Sequence, residues 1–219
     1  SKEELGGWRM HVAESGQVDN VAEDEDDAFQ QIRDFLSFLP NTVREVASRV
    51  ETGDDPERRP QELLEFVPTN RRQGYDARAL IRHVVDNGDF FEMRELYASG
   101  LITGFARLDG WSVGVIGSDP MSKAGAMDGN AADKYTHFVD LCDTFNLPLL
   151  IFLDMPGFML GSHAERIATM RRGARALIAS AECQVPKIEF MVRKSYGGAA
   201  DAPNSIGLPD SIDRKSTRL

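Results

Sequence analysis

The chain has 219 residues, of which 42% are hydrophobic, and it carries a formal net charge of −10. This apolar content is enough to build a buried core, which argues against wholesale disorder. The acidic balance argues against a nucleic acid partner, because phosphate binding needs a basic face, but a few local cations could still hold an anionic cofactor.

The chain shows no sign of secretion or membrane insertion. No signal peptide is visible, and no apolar run approaches the roughly 20 residues that a membrane helix needs. Cys142 and Cys183 lie in apolar, helix-like contexts, which is typical of free buried thiols in a reducing compartment. We therefore expect a cytoplasmic protein, or a mitochondrial matrix protein in a eukaryote.

The first part of the chain contains two predicted helices separated by a linker. AFQQIRDFLSFLP has apolar residues at helical spacing, and the EDEDD run before it would cap the helix. TGDDPERRPQ is polar and punctuated by proline, as linkers are. YDARALIRHVVDNGDFFE predicts a short amphipathic helix ending near Gly88. The aligned apolar residues of the first helix are Phe29, Ile32, Phe35, Leu36 and Leu39.

The second part alternates strands and helices. ITGFARL and WSVGVIGSD read as strands joined by a hairpin turn at Asp109-Gly110. PLLIFLD and VPKIEFMV are further strands, the first one continuously apolar as if both of its faces were covered. AADKYTHFVDLCDTFN and AERIATMRRGARALIASAEC are predicted helices between them, and the order predicts an α/β domain with some parallel pairing. The aligned residues of the last helix are Ile167, Met170, Ala174, Leu177, Ile178 and Ala181.

Two glycine-bearing segments follow the predicted strands, where ligands gather in such sheets. The first runs from Asp154 through Pro156, Gly157 and Phe158, and the second from Tyr196 through Gly197, Gly198 and Ala199. If a helix begins at Gly198 or Ala199, their N–H groups lack helical partners and could form an oxyanion hole. Gly-Gly between a strand and a helix is also ordinarily a tight turn.

The usual catalytic motifs are missing. The sequence has no Gly-x-Ser-x-Gly, no phosphate loop and no His-Glu-x-x-His. His11, His83, His137 and His163 are scattered without metal-ligand spacing, so we expect no metal. An enzyme of this kind can still work if substrate or cofactor supplies the base and the protein supplies backbone dipoles.

Several motifs resemble those of one enzyme family. EELGG, YDARALIRHVVDNGDFFE, ITGFARLDGWSVGVIGSDP, DKYTHFVDLCDTFNLPLLIFLDMPGF and VPKIEFMVRKSYGGA occur in that order. They resemble the carboxyltransferase (β) subunit of biotin-dependent acyl-CoA carboxylases, most of all the propionyl-CoA carboxylases. The resemblance covers about residues 1–205, and FxxLCDxFNxPLxxFxDxPGF and RKxYGGA are its most specific parts.

The resemblance implies an α/β, crotonase-like carboxyltransferase fold that is incomplete at both ends. Residues 1–45 would be the C-terminal tail of the N-terminal carboxyltransferase domain, and residues 46–70 a linker. Residues 71–212 would form the first part of the C-terminal carboxyltransferase domain. Residues 213–219 lack periodicity and are expected to be a non-native tail.

The resemblance also implies the chemistry. Carboxybiotin on a partner chain would release CO2, and the biotin ureido group would remove the α-proton of a short acyl-CoA such as propionyl-CoA or acetyl-CoA. The backbone of Gly198 and Ala199 would then form the oxyanion hole for biotin, with Gly197, Pro156, Gly157 and Phe158 beside it. Asp201 falls where this family biases acyl length, and it looks propionyl-like.

The implied partners are a biotin carboxylase or biotin carboxyl carrier subunit and further copies of the carboxyltransferase subunit, with the active site at a dimer interface. The second oxyanion hole, for the thioester, belongs to the N-terminal domain upstream. We therefore expect this segment alone to be inactive. Arg193 and Lys194 would be solvated or interface charges.

The sequence departs from the family pattern at several positions. The usual glycine pair before the AMD stretch reads Ala124-Gly125, Leu160 stands in an altered segment after PGF, and Ala200 replaces an aromatic residue. Two alternatives therefore stay open: a biotin-dependent acyl-CoA decarboxylase subunit, and a non-catalytic scaffold that binds acyl-CoA.

Overall fold

One mixed sheet organises the chain, and its strands follow one another in chain order. The computed structural model describes residues 2–201 and 212–215. Its six-stranded sheet has the order β1-β2-β3-β4-β5-β6. The first three strands are antiparallel, and the pairs from β3 to β6 are parallel. The strands are β1 (Phe90–Met93), β2 (Leu101–Leu108), β3 (Trp111–Ser118), β4 (Leu149–Met155), β5 (Lys187–Ser195) and β6 (Ile212–Lys215).

Helices cover both faces of this sheet. They are α1 (Lys2–Gly6), α2 (Trp8–Met10), α3 (Glu25–Ser37), α4 (Leu63–Phe66), α5 (Ala77–Val84), α6 (Gly129–Thr144), α7 (Ser162–Arg166), α8 (Thr169–Glu182) and α9 (Gly197–Asp201). Helices α6 and α8 pack on one face of the sheet and α5 packs on the other. Every residue of β4 is therefore buried. The continuous apolar run PLLIFLD is therefore a two-sided strand, as predicted.

The predicted hairpin between β2 and β3 is confirmed. Leu108 pairs with Trp111, so only Asp109 and Gly110 form the turn, and both have positive φ (50° and 75°). This is the geometry of a two-residue primed turn. The buried Asp86 carboxylate accepts hydrogen bonds from both turn N–H groups, at 2.9 and 2.7 Å.

The predicted first helix is confirmed as α3. Asp24 caps it by accepting a hydrogen bond from the N–H of Asp27 at 2.9 Å, and acidic residues fill the first turn. Its apolar residues are used unequally. Phe35 packs against Phe105 and the central core, whereas other apolar side chains of the helix point to solvent. These exposed side chains are Phe29, Ile32 and Leu36.

The prediction for the last helix was wrong in two respects. The run is interrupted at Ala168, which has φ of 56°, so α7 and α8 are separate helices. The buried face of α8 is made of small residues, namely Thr169, Gly173, Ala176, Ala179 and Ser180. Met170 and Ile178 of the predicted face are 58% and 56% exposed. Small side chains permit the close packing of α8, and a search for large apolar residues therefore selects the wrong face.

Two further elements bear on the predicted boundaries. The sequence predicts a helix that ends near Gly88 and no strand after it, but Phe90–Met93 form β1 and pair with β2. Residues 213–215 of the predicted tail belong to β6, and residues 216–219 lie outside the described part of the chain. The domain boundaries and the non-native origin of the tail stay predictions.

Candidate active site

Three loops meet where the parallel strands β3, β4 and β5 end, at what we call the carboxyl edge. The backbone of Met127, after β3, donates to the carbonyl of Gly157 at 3.1 Å and accepts from the N–H of Met159 at 2.9 Å. After β5, the N–H of Tyr196 donates to the carbonyl of Met155 at 3.1 Å. The two predicted glycine segments are therefore neighbours.

The second glycine segment turns directly into a helix. Gly197 has φ of +66°, a left-handed conformation that suits glycine, and it begins α9. Gly198 and Ala199 follow in the first turn, where N–H groups have no intrahelical acceptor. Apart from the residues next to Gly197 and the backbone of its own helix, no described atom lies within 4 Å of the position that a Gly197 Cβ would occupy. The backbone of Asp201 belongs to α9, but its side chain lies outside the described residues.

The first glycine segment lies beside that helix. A Cβ on Gly157 (φ +121°) would be 3.3 Å from the carbonyl oxygen of Tyr196. The ring of Phe158 fills the space above Gly173, and its edge lies 3.8 Å from the position of a Gly198 Cβ. Glycine at 157 and 173 thus permits the close contact of the loop, α8 and α9. Pro156, Gly157 and Phe158 form one side of the surface next to the predicted donors.

Asp154 was named above only as the start of the first glycine segment, and its role as a buried, paired carboxylate was not predicted. Asp154, near the end of β4, is 0% exposed. Its Oδ2 accepts from Arg193 Nε at 3.1 Å and forms an ion pair with Arg193 Nη2 at 3.0 Å. Its Oδ1 accepts from the Lys194 backbone N–H at 3.1 Å and lies 3.6 Å from Lys194 Nζ.

Arg193 and Lys194 were expected to be solvated or interface charges, and the solvated alternative was wrong. Their side chains are 8% and 12% exposed, because both turn inward to Asp154. The sequence did contain a signal for this pairing, which was the position of Asp154 in the apolar run of β4. A charge within a fully buried strand needs a partner, and two adjacent cations stand near the end of the next strand.

The loop after β3 has unusual backbone geometry. Lys123, Ala124 and Gly125 all have positive φ, at 49°, 55° and 80°. A Cβ on Gly125 would lie 2.5 Å from the carbonyl oxygen of Asp154, so only glycine allows this approach. The Lys123 ammonium lies 2.5 Å from Asp128, which caps α6. Burial opposes ionisation of Asp128, but hydrogen bonds from Lys123 and Ala131 lower its pKa overall.

A further segment reaches the carboxyl edge from the opposite face of the sheet. Arg193 Nη1 donates to the carbonyl of Gln73 at 2.8 Å, and its guanidinium lies 5.1 Å from the centre of the Tyr75 ring. Burial and the Asp154 carboxylate raise the pKa of Tyr75. Arg71 donates to the Tyr196 hydroxyl at 3.2 Å. Behind this segment, an apolar groove of about 590 Å³ lies between α4, α5 and β5.

Other candidate groups do not converge. Over residues 2–201 and 212–215, no group of three or more His, Cys, Asp or Glu side chains could hold a metal ion. Cys142 and Cys183 are buried and free, and burial raises the pKa of both thiols. None of the helices in the described ranges has the length and hydropathy to cross a membrane.

The layered sheet and the glycine loops at its carboxyl edge define a crotonase-like carboxyl transferase fold. The chain belongs to the family described as Carboxyl transferase domain, which matches residues 1–215. It is 45% identical over 197 residues to the methylmalonyl-CoA decarboxylase subunit alpha of Veillonella parvula, covering 90% of this chain and 39% of that protein. It is 42% identical over 211 residues to the propionyl-CoA carboxylase carboxyltransferase subunit of Haloferax mediterranei, covering 96% and 41%.

A solved structure agrees with the fold in detail. The transcarboxylase 12S structure, described as a hexamer assembly with methylmalonyl-coenzyme A and methylmalonic acid bound, superposes with a TM-score of 0.92 at 40% identity. The match covers 97% of this chain and 41% of the solved one. The chain thus spans about two fifths of the length of the proteins that it matches. The site roles of individual residues stay predictions.

Proposed function

We propose that the protein containing this chain is the carboxyltransferase subunit of a biotin-dependent acyl-CoA carboxylase. It would transfer a carboxyl group from carboxybiotin to the α-carbon of a short acyl-CoA, propionyl-CoA or acetyl-CoA. The observation that carries this proposal is the turn at Gly197, which presents the first-turn N–H groups of α9 beside the Pro156–Phe158 loop at the carboxyl edge.

Each residue of this edge has a role in the proposal. The N–H groups of Gly198 and Ala199 would donate to the biotin ureido oxygen as negative charge develops on it. Such fixed donors need no reorganisation during the reaction, and removing one typically costs about 10²–10³-fold in turnover. Gly197 provides the turn, and Pro156, Gly157 and Phe158 provide the wall of the biotin site. Asp201 would bias the length of the acyl group.

The N–H groups of Gly198 and Ala199 would suit the biotin ureido oxygen, which is neutral at first and gains negative charge during the reaction. Backbone N–H groups at a helix start favour negative charge, and no side chain of the described residues, apart from those next to Gly197, lies within 4 Å of the position of a Gly197 Cβ. Carboxybiotin would come from a biotin carboxylase or biotin carboxyl carrier subunit, and it would supply the carboxyl group and the base for the α-proton. The other proposed partners are copies of the same subunit, and the related transcarboxylase 12S is described as a hexamer.

The test is to remove one donor in the full-length protein. Ala199→Pro deletes the N–H group, and we expect carboxyl transfer to propionyl-CoA to fall by about 10²–10³-fold. Ala199→Gly keeps the N–H and should retain most of the turnover. Wild-type turnover in a folded Ala199→Pro protein would remove this assignment.

The reverse direction is a second candidate function. It is favoured by the 45% identity to a methylmalonyl-CoA decarboxylase subunit. The two are distinguished by supplying the full-length protein either with propionyl-CoA and its carboxylated biotin partner, or with methylmalonyl-CoA and the uncarboxylated partner, and comparing the initial rates. A protein that binds acyl-CoA but transfers no carboxyl group in either direction would instead be the non-catalytic scaffold that the altered positions Leu160 and Ala200 suggest.

A further inference from the structure

We propose that Asp154, Arg193 and Lys194 form a positioning network that sets the place of the Gly197–Ala199 backbone at the carboxyl edge. We call this group the Asp154 network. The inference rests on the proposed function, because it assigns a role in the same site, and it adds residues that do not touch the reacting groups.

The centre of the network is a carboxylate fully removed from solvent. Asp154 is 0% exposed, and both of its oxygens receive donors from the end of β5. Arg193 binds one oxygen through its guanidinium, and Lys194 binds the other through its backbone N–H. Burying these charges is favourable only with close pairing and satisfied hydrogen bonds. The end of β5 is therefore held to β4 by more than the sheet ladder.

The two cations extend the network to neighbouring loops. Lys194 Nζ donates to the carbonyl of Ala124 at 3.0 Å and thus attaches the strained loop after β3. Arg193 Nη1 donates to the carbonyls of Gln73 and Asn70, at 2.8 and 3.3 Å, and attaches the segment that covers the other face. Three separate parts of the chain are therefore fixed relative to one carboxylate.

The proposed oxyanion donors lie immediately beyond these contacts. Tyr196 is the second residue after Lys194, and its N–H donates to the Met155 carbonyl at 3.1 Å. Only Ser195, Tyr196 and Gly197 separate Lys194 from Gly198. A shift of the β5 end would move the N–H groups directly, and misplacement of a reacting geometry by about 1 Å can cost roughly 10²-fold in rate.

Burial distinguishes positioning from ligand binding. The polar atoms of the three side chains are directed to protein acceptors and donors, and Asp154 presents no surface to a substrate. A change in the network should thus alter the rate of transfer without weakening the binding of acyl-CoA.

Lys194→Met is the most selective test in the full-length protein. It removes the hydrogen bond from Nζ to Ala124 and the 3.6 Å ion pair of Nζ with Asp154, and it leaves the backbone N–H bond to Asp154 and the Arg193 pair in place. We expect kcat for carboxyl transfer to propionyl-CoA to fall by about 10- to 100-fold, while KM for the acyl-CoA stays within about twofold. Lys194→Arg, which keeps a cationic donor, should recover part of the loss. If Lys194→Met does not fold, Lys194→Gln is the second variant, because its polar amide is better tolerated where the side chain is partly exposed.

Lys187 provides a matched control on the same strand. It lies at the opposite end of β5 and also buries its ammonium against a backbone carbonyl, that of Ser180, at 2.5 Å. Lys187→Met should lower stability but leave kcat of the folded protein near the wild-type value. Equal losses of kcat in the Lys187 and Lys194 variants would overturn the proposal, as would unchanged kcat in folded Lys194→Met or Lys194→Gln protein.

The wild-type measurement separates this inference from the proposed function. If the unaltered protein transfers no carboxyl group in either direction with a partner shown to form carboxybiotin, the proposed function fails. If it transfers and the Lys194 variants do so at the same rate, the positioning role alone fails.

Discussion

At the scale of single residues, the carboxyl edge combines backbone strain with buried charge. Ala124 has φ of 55° in the loop that Lys194 holds, and the resembling family ordinarily has glycine there. A residue with a Cβ pays about 1–2 kcal/mol in this left-handed region. The tertiary contacts of the loop keep Ala124 in a conformation that its own side chain disfavours.

Ala124→Gly should therefore stabilise the chain. Relief of the left-handed strain outweighs the greater flexibility that glycine adds to the unfolded state, and we expect the free energy of unfolding to rise by about 0.5–1 kcal/mol. Urea denaturation of the purified chain measures this change. Ala126→Gly, at a position with φ of −69°, is the matched control and should destabilise. A loss of stability in Ala124→Gly would show that its methyl group contributes packing that exceeds the strain.

At the scale of elements, one lysine attaches helix α6 to the turn between β1 and β2. Lys134 is 0% exposed, and its ammonium donates to the carbonyls of Arg94 and Tyr97 at 2.7 and 2.9 Å. Burial lowers the pKa of Lys134 from its ordinary 10.5 to about 7. Glu92 and Glu95 favour the charged form, whereas Arg78 and Arg94 oppose it.

This lysine predicts a specific pH dependence of stability. Between pH 7 and 10.5 the unfolded state retains the proton that the folded state has released, so the free energy of unfolding should rise with pH across this range. Lys134→Met removes the titrating group, and the stability of wild type relative to this variant should rise from pH 7 to pH 10. Urea titrations at several pH values measure the difference. A constant difference would mean that Lys134 stays charged in the folded protein.

The elements that sequence could predict are those specified by neighbouring residues. Asp109-Gly110 determines its own hairpin, and the apolar run of β4 indicates burial on both faces. The face of α8 could not be predicted, because its contacts depend on Gly173 fitting the ring of Phe158. In the site, the turn at Gly197 follows from the local sequence. The pairing of Arg193 with Asp154 joins residues 39 apart, and charged residues at strand ends are ordinarily solvated.

At the scale of the whole molecule, the described surface exposes large apolar side chains of a kind that is usually buried in a core. Phe29, Ile32 and Leu36 form an exposed row along α3, and Met170 and Ile178 are exposed on α8. Large apolar side chains grouped on an exposed helix face mark an interaction site or an aggregation liability. This exposure accords with a chain that covers about two fifths of its relatives.

The row on α3 should dominate the hydrophobic surface of the isolated chain. Replacing Phe29, Ile32 and Leu36 together with glutamine should lower the fluorescence of a bound hydrophobic dye several-fold and reduce light scattering, with the far-ultraviolet circular dichroism retained. The comparison is Met170→Gln with Ile178→Gln on α8, which removes less apolar area. Equal dye fluorescence before and after the α3 substitutions would show that the dye binds apolar surface outside α3.

The order of the sheet has a consequence for synthesis of the chain. Each strand from β2 onward pairs with the strand before it in sequence, so one pairing partner of each such strand has been synthesised before it. The β2–β3 hairpin needs only its two-residue turn, and hairpins form within about 1–10 μs. Translation proceeds at about 5–20 residues per second, so the hairpin can be complete long before β4 is made. The sheet can then grow in one direction, one strand at a time, with β3 serving as the template on which the parallel half is assembled.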